Sequence, residues 1–139
     1  MNITVMSRDK AVKYSWLPHN EKTYVISIMT PWAAYSSDIY PSPYNGIKSV
    51  LRLFFDDVES GTNCMDETHD KAIKKFVELH KDGNFIVQCD AGVSRSAGVA
   101  AALLKFYNGD DTPIFDNKKY CPNMLCYRTM LNERMEVKE

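Results

Sequence analysis

The sequence of 139 residues has little that would direct it to a membrane or to a highly charged partner. No run approaches the roughly 18 apolar residues that a membrane span needs, and the first 15 residues lack the apolar core of a signal peptide. The formal net charge is −1, so no general attraction to nucleic acid or anionic lipid is expected. Any affinity for an anion must come from a local site. These absences predict a cytoplasmic protein that binds neither membrane nor nucleic acid.

Cysteine and histidine are scarce and lack the spacing of a metal site. Cys121 and Cys126 have no second Cys/His pair at zinc-finger spacing, and His19, His69 and His80 follow neither a ligand nor a catalytic-triad pattern. A chain of this length can fold without disulfides. We therefore expect reduced thiols, no metal and no other cofactor.

Length and hydrophobic pattern predict a single domain over residues 1–139, because the chain supports one core and is too short for two ordinary domains. Short, nearly continuous apolar runs are typical of strands that are covered on both faces. The stretch from Pro31 to Lys48, with three prolines and several tyrosines, predicts an irregular loop with one short helical turn. The predicted strands are Ile3–Met6, Tyr24–Met29, Val50–Phe55 and Phe85–Cys89.

Helical patterns fill the gaps between these strands. The spacing of Ile73, Phe76, Val77 and His80 places one buried stripe along a helix. Strands that alternate with helices favour an α/β fold with a central, mostly parallel sheet of four to five strands flanked by helices. The predicted helices are Asp66–Lys81, Ala97–Tyr107 and Asn123–Met135.

The segment from Phe85 to Gly98 carries the clearest chemical signal, because an apolar strand passes through a tight loop directly into an apolar helix. Backbone N–H groups at a helix start lack an intrahelical partner, and the helix dipole favours negative charge there. Gly92 allows the turn without a Cβ clash. We therefore predict an anion-binding loop made of Asp90, Ala91, Gly92, Val93 and Ser94.

Cys89 and Arg95 place a nucleophile and an anion-binding side chain on this loop. The planar guanidinium of Arg95 can bind two phosphate oxygens at once. The same positive environment favours the thiolate of Cys89 over the thiol, which makes the sulfur a usable nucleophile. Ser96 can donate a hydrogen bond to that sulfur and so help it leave in a second step. Chance is a poor explanation for this combination at a strand-to-helix junction.

Cys89 to Ser96 resembles the signature loop of the protein tyrosine phosphatase superfamily, Cys-x5-Arg-Ser/Thr, and the whole chain resembles its compact, dual-specificity-like members, including small bacterial and phage proteins. Weaker likeness extends over Ile26-Ser-Ile, Leu53 to Asp57 and Pro122-Asn123. The resemblance implies the phosphotyrosine protein phosphatase-like fold. The family usually has histidine immediately before the nucleophile, where this sequence has Gln88.

A general acid is needed to protonate the leaving oxygen of a phosphate ester. Asp56 and Asp57 close the third predicted strand and so lie at the same sheet edge as Cys89. The resemblance favours Asp57, because similar small phosphatases use the second aspartate of this pattern. Asp56 is the alternative acid, or else a structural residue that holds the loop or Arg95.

The resemblance implies hydrolysis of phosphate monoesters in two steps through a phosphocysteine. The expected substrate is a phosphorylated protein or peptide, with phosphotyrosine first and phosphoserine or phosphothreonine also open, and the expected state is a monomer. Phosphoinositides and RNA 5′-phosphates stay open as substrates.

Two kinds of alternative interpretation of the loop remain, a different enzyme and a binding module. An arsenate reductase of the low-molecular-weight type places the loop near the N-terminus, whereas Cys89 lies past the middle, and a rhodanese-like sulfurtransferase has no role for Asp56 and Asp57. A catalytically weak or dead module that captures phosphorylated partners is the alternative from another class, and Gln88 is the feature that favours it.

Overall fold

A computed structural model describes residues 1–17, 22–32 and 47–132. Four strands form one sheet, in the order β1-β4-β2-β3, and all neighbouring strands are parallel. The strands are β1 (Ile3–Ser7), β2 (Thr23–Met29), β3 (Ile47–Phe54) and β4 (Asn84–Cys89). The helices are α1 (Arg8–Ser15), α2 (Glu67–Leu79), α3 (Arg95–Asn108), α4 (Thr112–Phe115) and α5 (Met124–Met130).

The sheet is covered on both faces, as the apolar runs of its strands predict. Every residue of β2 is buried. On one face, Met6, Val25 and Ile86 pack with Ala11 of α1. The larger core lies on the other face, where side chains of β2 and β4 pack against α2, α3 and α5. The carboxyl ends of all four strands therefore meet at one edge, which is where the loop after β4 lies.

The helix α3 is buried on nearly all sides through its first ten residues, from Arg95 to Leu104. It packs on β1 and β4 and contacts α4 and α5. Small residues at its start permit close approach, and a Cβ on Gly98 would lie 2.4 Å from the carbonyl oxygen of Asn123. This packing brings the segment before α5 against the start of α3 and thus against the signature loop.

The fold confirms the predicted α/β class with a parallel sheet, and it corrects several element boundaries. The helix α1 was not predicted, because only Ala11 and Ser15 of its eight residues are buried and its apolar stripe is weak. The four-residue α4 is too short for its periodicity to show. The strand β3 begins at Ile47, so Ile47 and Lys48 belong to the sheet and not to the predicted loop.

The last helix is also shorter than predicted. It ends at Met130, and Asn132 adopts a left-handed backbone with φ of 60°, which a helix cannot continue through. The predicted residues beyond 132, the loop residues 33–46 and His19 lie outside the described ranges. Across those ranges, no helix is long and apolar enough to cross a membrane.

Candidate active site

The loop between β4 and α3 presents four consecutive backbone N–H groups without an acceptor. Cys89 is the last residue of β4 and Arg95 is the first of α3. Among the described residues, the N–H groups of Ala91, Gly92, Val93 and Ser94 donate to neither backbone nor side chain. Most backbone donors in folded proteins are paired. A run of four unpaired donors is therefore typical of an anion-binding site.

Hydrogen bonds to the carbonyl groups of the loop set the direction of these donors. The oxygen of Asp90 accepts from the N–H of Arg8 at 3.1 Å, and the oxygens of Val93 and Ser94 accept from the segment before α5 at 2.9 Å each. All these partners lie outside the loop. Because C=O and N–H point in opposite directions across a trans peptide, the N–H groups of Ala91 and Ser94 point toward the inside of the loop.

Gly92 holds the loop against the sheet. Its φ is +71°, in the left-handed region that glycine adopts without strain. A Cβ at this position would lie 2.5 Å from the backbone nitrogen of Ser7 and 2.6 Å from the carbonyl carbon of Met6. The loop therefore packs main chain to main chain on the end of β1, and only glycine fits there.

The sulfur of Cys89 lies at the base of the loop. The side chain is 2% exposed, and its Sγ lies 3.0 Å from the Oγ of Ser96, which is itself fully buried. Ser96 is in the first turn of α3. A hydroxyl at this distance can donate a hydrogen bond to a thiolate, so Ser96 lies within hydrogen-bond reach of the sulfur.

Two of the three guanidinium nitrogens of Arg95 donate hydrogen bonds, and the third, Nε, has no partner among the described residues. One terminal nitrogen donates to the carbonyl oxygen of Phe55 at 2.9 Å, and the other donates to Oδ2 of Asp90 at 2.8 Å. The guanidinium is nearly buried, and its Nε has no hydrogen-bond partner among the described residues. A buried, unpaired donor on a charged group costs roughly 1–3 kcal/mol or more. An anion at the loop would satisfy it.

Asp90 turns toward this site and not away from it. The sequence leaves two directions open for this side chain: outward, where it could meet a basic substrate, or inward, where its charge tempers the potential of the site. Its carboxylate forms an ion pair with the guanidinium of Arg95. The negative charge beside the loop therefore orients the cation, and it does not stand free at the surface.

Asp57 is brought to the loop by two hydrogen bonds to one carboxylate oxygen. Its Oδ1 accepts from the Oγ of Ser94 and from the Nδ2 of Asn123, each at 2.8 Å. The side chain is exposed, and within the described part of the chain no group donates to Oδ2. One oxygen is thus fixed by two hydrogen bonds, and the other has no hydrogen-bond partner among the described residues.

Asp56 takes part in the turn after β3. Its N–H donates to the carbonyl oxygen of Asn63 at 2.6 Å, and its own carbonyl oxygen accepts from the N–H of Val58 at 3.0 Å. The partners of Arg95 are the Phe55 carbonyl and Asp90. The carboxylate of Asp57 therefore contacts the loop, whereas the backbone of Asp56 forms part of the turn.

Asn123 contacts the site, although the sequence marked it only as part of a weak likeness and as the start of the last predicted helix. It is buried, its Oδ1 accepts from the N–H of Cys126 and so caps α5, and its Nδ2 also donates to the carbonyl oxygen of Val58 at 3.1 Å. One side chain thus ties α5 to the turn that carries Asp57. The Pro122-Asn123 pair and its position before an apolar run were the available signals, since asparagine is a preferred helix cap.

Gln88 does not point to the sulfur that follows it. The side chain is fully buried, its Oε1 accepts from the hydroxyl of Ser27 at 2.5 Å, and its Nε2 lies 3.1 Å from the sulfur of Met29. Successive side chains of a strand alternate between faces. The amide is therefore satisfied within β2 and is directed away from the loop.

The second buried thiol near the site is not a competing nucleophile. Cys126 lies under the start of α3, where its Cβ is 3.0 Å from the position that a Cβ on Gly98 would take. Burial raises the pKa of the Cys126 thiol strongly, with the nearby charge of Asp57 adding to the effect. Its thiol is therefore neutral at physiological pH.

In the described ranges no group of three or more His, Cys, Asp or Glu side chains is arranged to hold a metal ion.

Comparisons with known proteins identify the fold. No family model matches the sequence, and no curated protein sequence matches it. Solved structures do match. Human DUSP28 superposes with a TM-score of 0.65 at 17% identity, over 99% of this chain and 95% of that one. The human tyrosine phosphatase-like serine/threonine/tyrosine-interacting protein gives 0.60 at 20% identity, over 85% and 80%.

PTPMT1 in complex with PI(5)P gives a TM-score of 0.58 at 14% identity, over 98% of this chain and 92% of that one. These likenesses show the fold, which is that of the compact, dual-specificity-like cysteine phosphatases. The fold class predicted from the sequence is thereby confirmed.

Proposed function

We propose that this protein hydrolyses phosphate monoesters of proteins or peptides through a phosphocysteine formed on Cys89. The observation that carries the proposal is a set of donors that follow Cys89 in the chain and have no partner among the described residues: the N–H groups from Ala91 to Ser94 and the Nε of Arg95. A phosphoryl group has three equatorial oxygens that accept such bonds. The fold of phosphatases supports the same reaction class.

In the first step, the sulfur of Cys89 attacks phosphorus as the bond from phosphorus to the leaving oxygen breaks. The amides of the loop and the guanidinium of Arg95 stabilise the charge on the equatorial oxygens. Asp57, protonated on its free Oδ2, gives its proton to the leaving oxygen. Ser94 and Asn123 hold the other oxygen of that carboxyl group, which orients the proton donor.

In the second step, water attacks the phosphocysteine and the phosphorus–sulfur bond breaks. Asp57, now ionised, accepts the proton of the water. Ser96 donates to the departing thiolate from 3.0 Å. Inorganic phosphate leaves, and the site returns to its starting state.

The first test is hydrolysis of p-nitrophenyl phosphate. We expect turnover that vanadate inhibits and that Cys89→Ser abolishes, whereas Cys121→Ser, a change at an exposed cysteine, leaves the rate unchanged. Ser96→Ala should slow the second step, so that a burst of p-nitrophenol precedes a slow steady state. Hydrolysis that persists in Cys89→Ser would refute the assignment.

The acid is tested by pH–rate profiles of Asp57→Asn and Asp56→Asn. We expect Asp57→Asn to lower kcat by about 100-fold, within the usual range of general acid catalysis, and to remove the decline of rate at high pH. Asp56→Asn should keep the profile of the wild type. An unchanged rate in Asp57→Asn would exclude Asp57 as the acid.

A second candidate function is phosphate recognition without turnover. It is favoured by Gln88, which stands in place of the usual histidine and is hydrogen-bonded within β2. A wild-type protein that binds vanadate or a phosphopeptide but hydrolyses no phosphate ester would support this candidate. A panel of phosphotyrosine and phosphoserine peptides, phosphoinositides and RNA 5′-phosphates then defines the substrate. Cytoplasmic location and the monomeric state stay predictions.

A further inference from the structure

A lysine of α2 binds the carboxyl end of α5. The Nζ of Lys74 donates to the carbonyl oxygen of Met130, the last residue of α5, at 2.6 Å. The last carbonyl groups of a helix have no intrahelical partner, and lysine side chains bind them favourably because the helix dipole is negative at that end. Lys74 therefore ties the end of this short helix to α2.

The ammonium group of Lys74 is itself held in place by its surroundings. Its Nζ lies 3.2 Å from Oδ1 of Asp70, one turn earlier in α2, and 4.8 Å from the centre of the Phe106 ring. The side chain of Asp70 is buried, and this oxygen accepts no hydrogen bond within the described part of the chain. Lys74 is thus the cation that compensates a buried carboxylate, and its head group has a defined position.

The other end of α5 reaches the acid of the candidate site. Asn123 caps α5 through its Oδ1, and its Nδ2 donates to Oδ1 of Asp57. The helix has seven residues, so its two ends are about 10 Å apart at a rise of about 1.5 Å per residue. Because the hydrogen bonds of a helix keep so short a segment in one piece, a shift at Met130 is passed on to Asn123.

We propose that Lys74 is a positioning residue for the acid: by holding the end of α5, it sets where Asn123 places the carboxyl group of Asp57. The inference rests on the proposed function and adds to it a residue that touches neither the substrate nor the sulfur. Without this hydrogen bond, the carboxyl end of α5 is restrained by apolar packing, which has no preferred direction, and the helix axis can tilt. A displacement of about 1 Å in a catalytic array lowers a rate by up to about 100-fold.

A purely structural role for Lys74 makes a different prediction. A general loss of order in the site would slow the hydrolysis of every phosphate ester alike. A misplaced acid, by contrast, slows most the esters whose leaving oxygen is most basic, since these depend most on the transferred proton. The dependence of the rate on the leaving group therefore separates the two roles.

The test compares phenyl phosphate with p-nitrophenyl phosphate, because phenolate is the more basic leaving group. Lys74→Met is made in an Asp70→Asn background, so that no buried carboxylate is left without its cation. The ratio of kcat/KM for phenyl phosphate to that for p-nitrophenyl phosphate should fall about 10-fold relative to the background, a partial loss of the contribution of the acid. Lys74→Arg, which keeps the charge and the donor, should restore the wild-type ratio.

Lys75→Met is the matched control, because Lys75 is the next residue of the same helix and is exposed; it should keep the ratio. In Asp57→Asn, the change at Lys74 should leave the ratio as it is in Asp57→Asn alone, since no acid remains to be misplaced. The side-chain amide signals of Asn123 in heteronuclear NMR spectra, assigned by their loss in Asn123→Ala, should move with Lys74→Met and stay in place with Lys75→Met.

Three results would each overturn the inference: an unchanged ratio in an enzyme that hydrolyses both esters, a fall in the ratio that persists in Asp57→Asn, or amide signals of Asn123 that do not move. A wild-type protein that hydrolyses neither ester would refute the proposed reaction instead. The amide signals do not depend on turnover, so they still decide whether Lys74 positions Asn123.

Discussion

The contact of Gly92 with β1 leads to a sharp prediction for Gly92→Ala. The new methyl carbon would lie 2.5 Å from the nitrogen of Ser7 and 2.6 Å from the carbonyl carbon of Met6. Both are backbone atoms of a paired strand, so no side-chain rotation relieves the clash. Restoring ordinary contact at 3.4 Å requires the loop to move away from β1 by about 1 Å.

The magnitude follows from two costs. A non-glycine residue at a left-handed φ costs about 1–2 kcal/mol, and overpacking adds about 1–3 kcal/mol. We expect the free energy of unfolding to fall by about 2–5 kcal/mol. A misplacement of 1 Å in a catalytic array can lower the rate about 100-fold. Because the amides of this loop would move with it, kcat/KM for p-nitrophenyl phosphate should fall by about that factor.

Gly109→Ala supplies the control, because Gly109 also has a positive φ, +77°, but no atom lies within 4 Å of its added Cβ. This variant should lose about 1–2 kcal/mol and keep the wild-type rate. Urea unfolding and steady-state kinetics measure both quantities. If Gly92→Ala retained activity within threefold, or if Gly109→Ala were equally destabilised, the argument from backbone contact would be refuted.

Three further changes probe the site and its support. Asp90→Asn removes a partly exposed negative charge beside Arg95. The inhibition constant of inorganic phosphate should therefore fall about 5-fold, a change of about 1 kcal/mol. An unchanged inhibition constant would show that the Asp90 charge does not act on Arg95. Asn123→Ala removes a helix cap and a donor to Asp57. The free energy of unfolding should fall by about 1 kcal/mol, and kcat should fall as well. Inhibition by vanadate, which needs no acid, should stay the same. Burial lowers the pKa of His69, whose Nδ1 accepts a hydrogen bond from the backbone N–H of Asp66 at the start of α2. The contribution of the neutral imidazole to the free energy of unfolding should be complete above the unfolded pKa of about 6.5 and be lost as pH falls below it. Urea unfolding at pH 7.5 and 5.5 should show this loss in the wild type and not in His69→Gln.

Part of the candidate site could be predicted from the sequence, and part of it could not. The order strand, loop, helix around Cys89 was readable because local propensity and glycine placement agree over a few neighbouring residues. Asp56 and Asp57 were predicted to lie near Cys89 for a different reason, since the carboxyl ends of parallel strands lie at one edge of the sheet. By contrast, the hydrogen bonds of Asp57 to Ser94 and Asn123 join residues far apart in the chain.

The missed elements have physical causes as well. The helix α1 buries only Ala11 and Ser15, so tertiary packing stabilises it more than its own apolar stripe does. The early end of α5 is set by the left-handed Asn132, a backbone conformation that asparagine tolerates but does not require.

The sequence alone determined the α/β class, the placement of Cys89 and Arg95 at a strand-to-helix junction, and the position of Asp56 and Asp57 at the same edge of the sheet, because each depends on short-range spacing or on the direction of parallel strands. Only the tertiary structure decided that Asp90 binds Arg95, that Asn123 holds Asp57, that Gln88 points away from Cys89, and that Lys74 binds the end of α5. These facts depend on side-chain directions between distant segments. Such directions are set by packing, and spacing along the chain does not encode them.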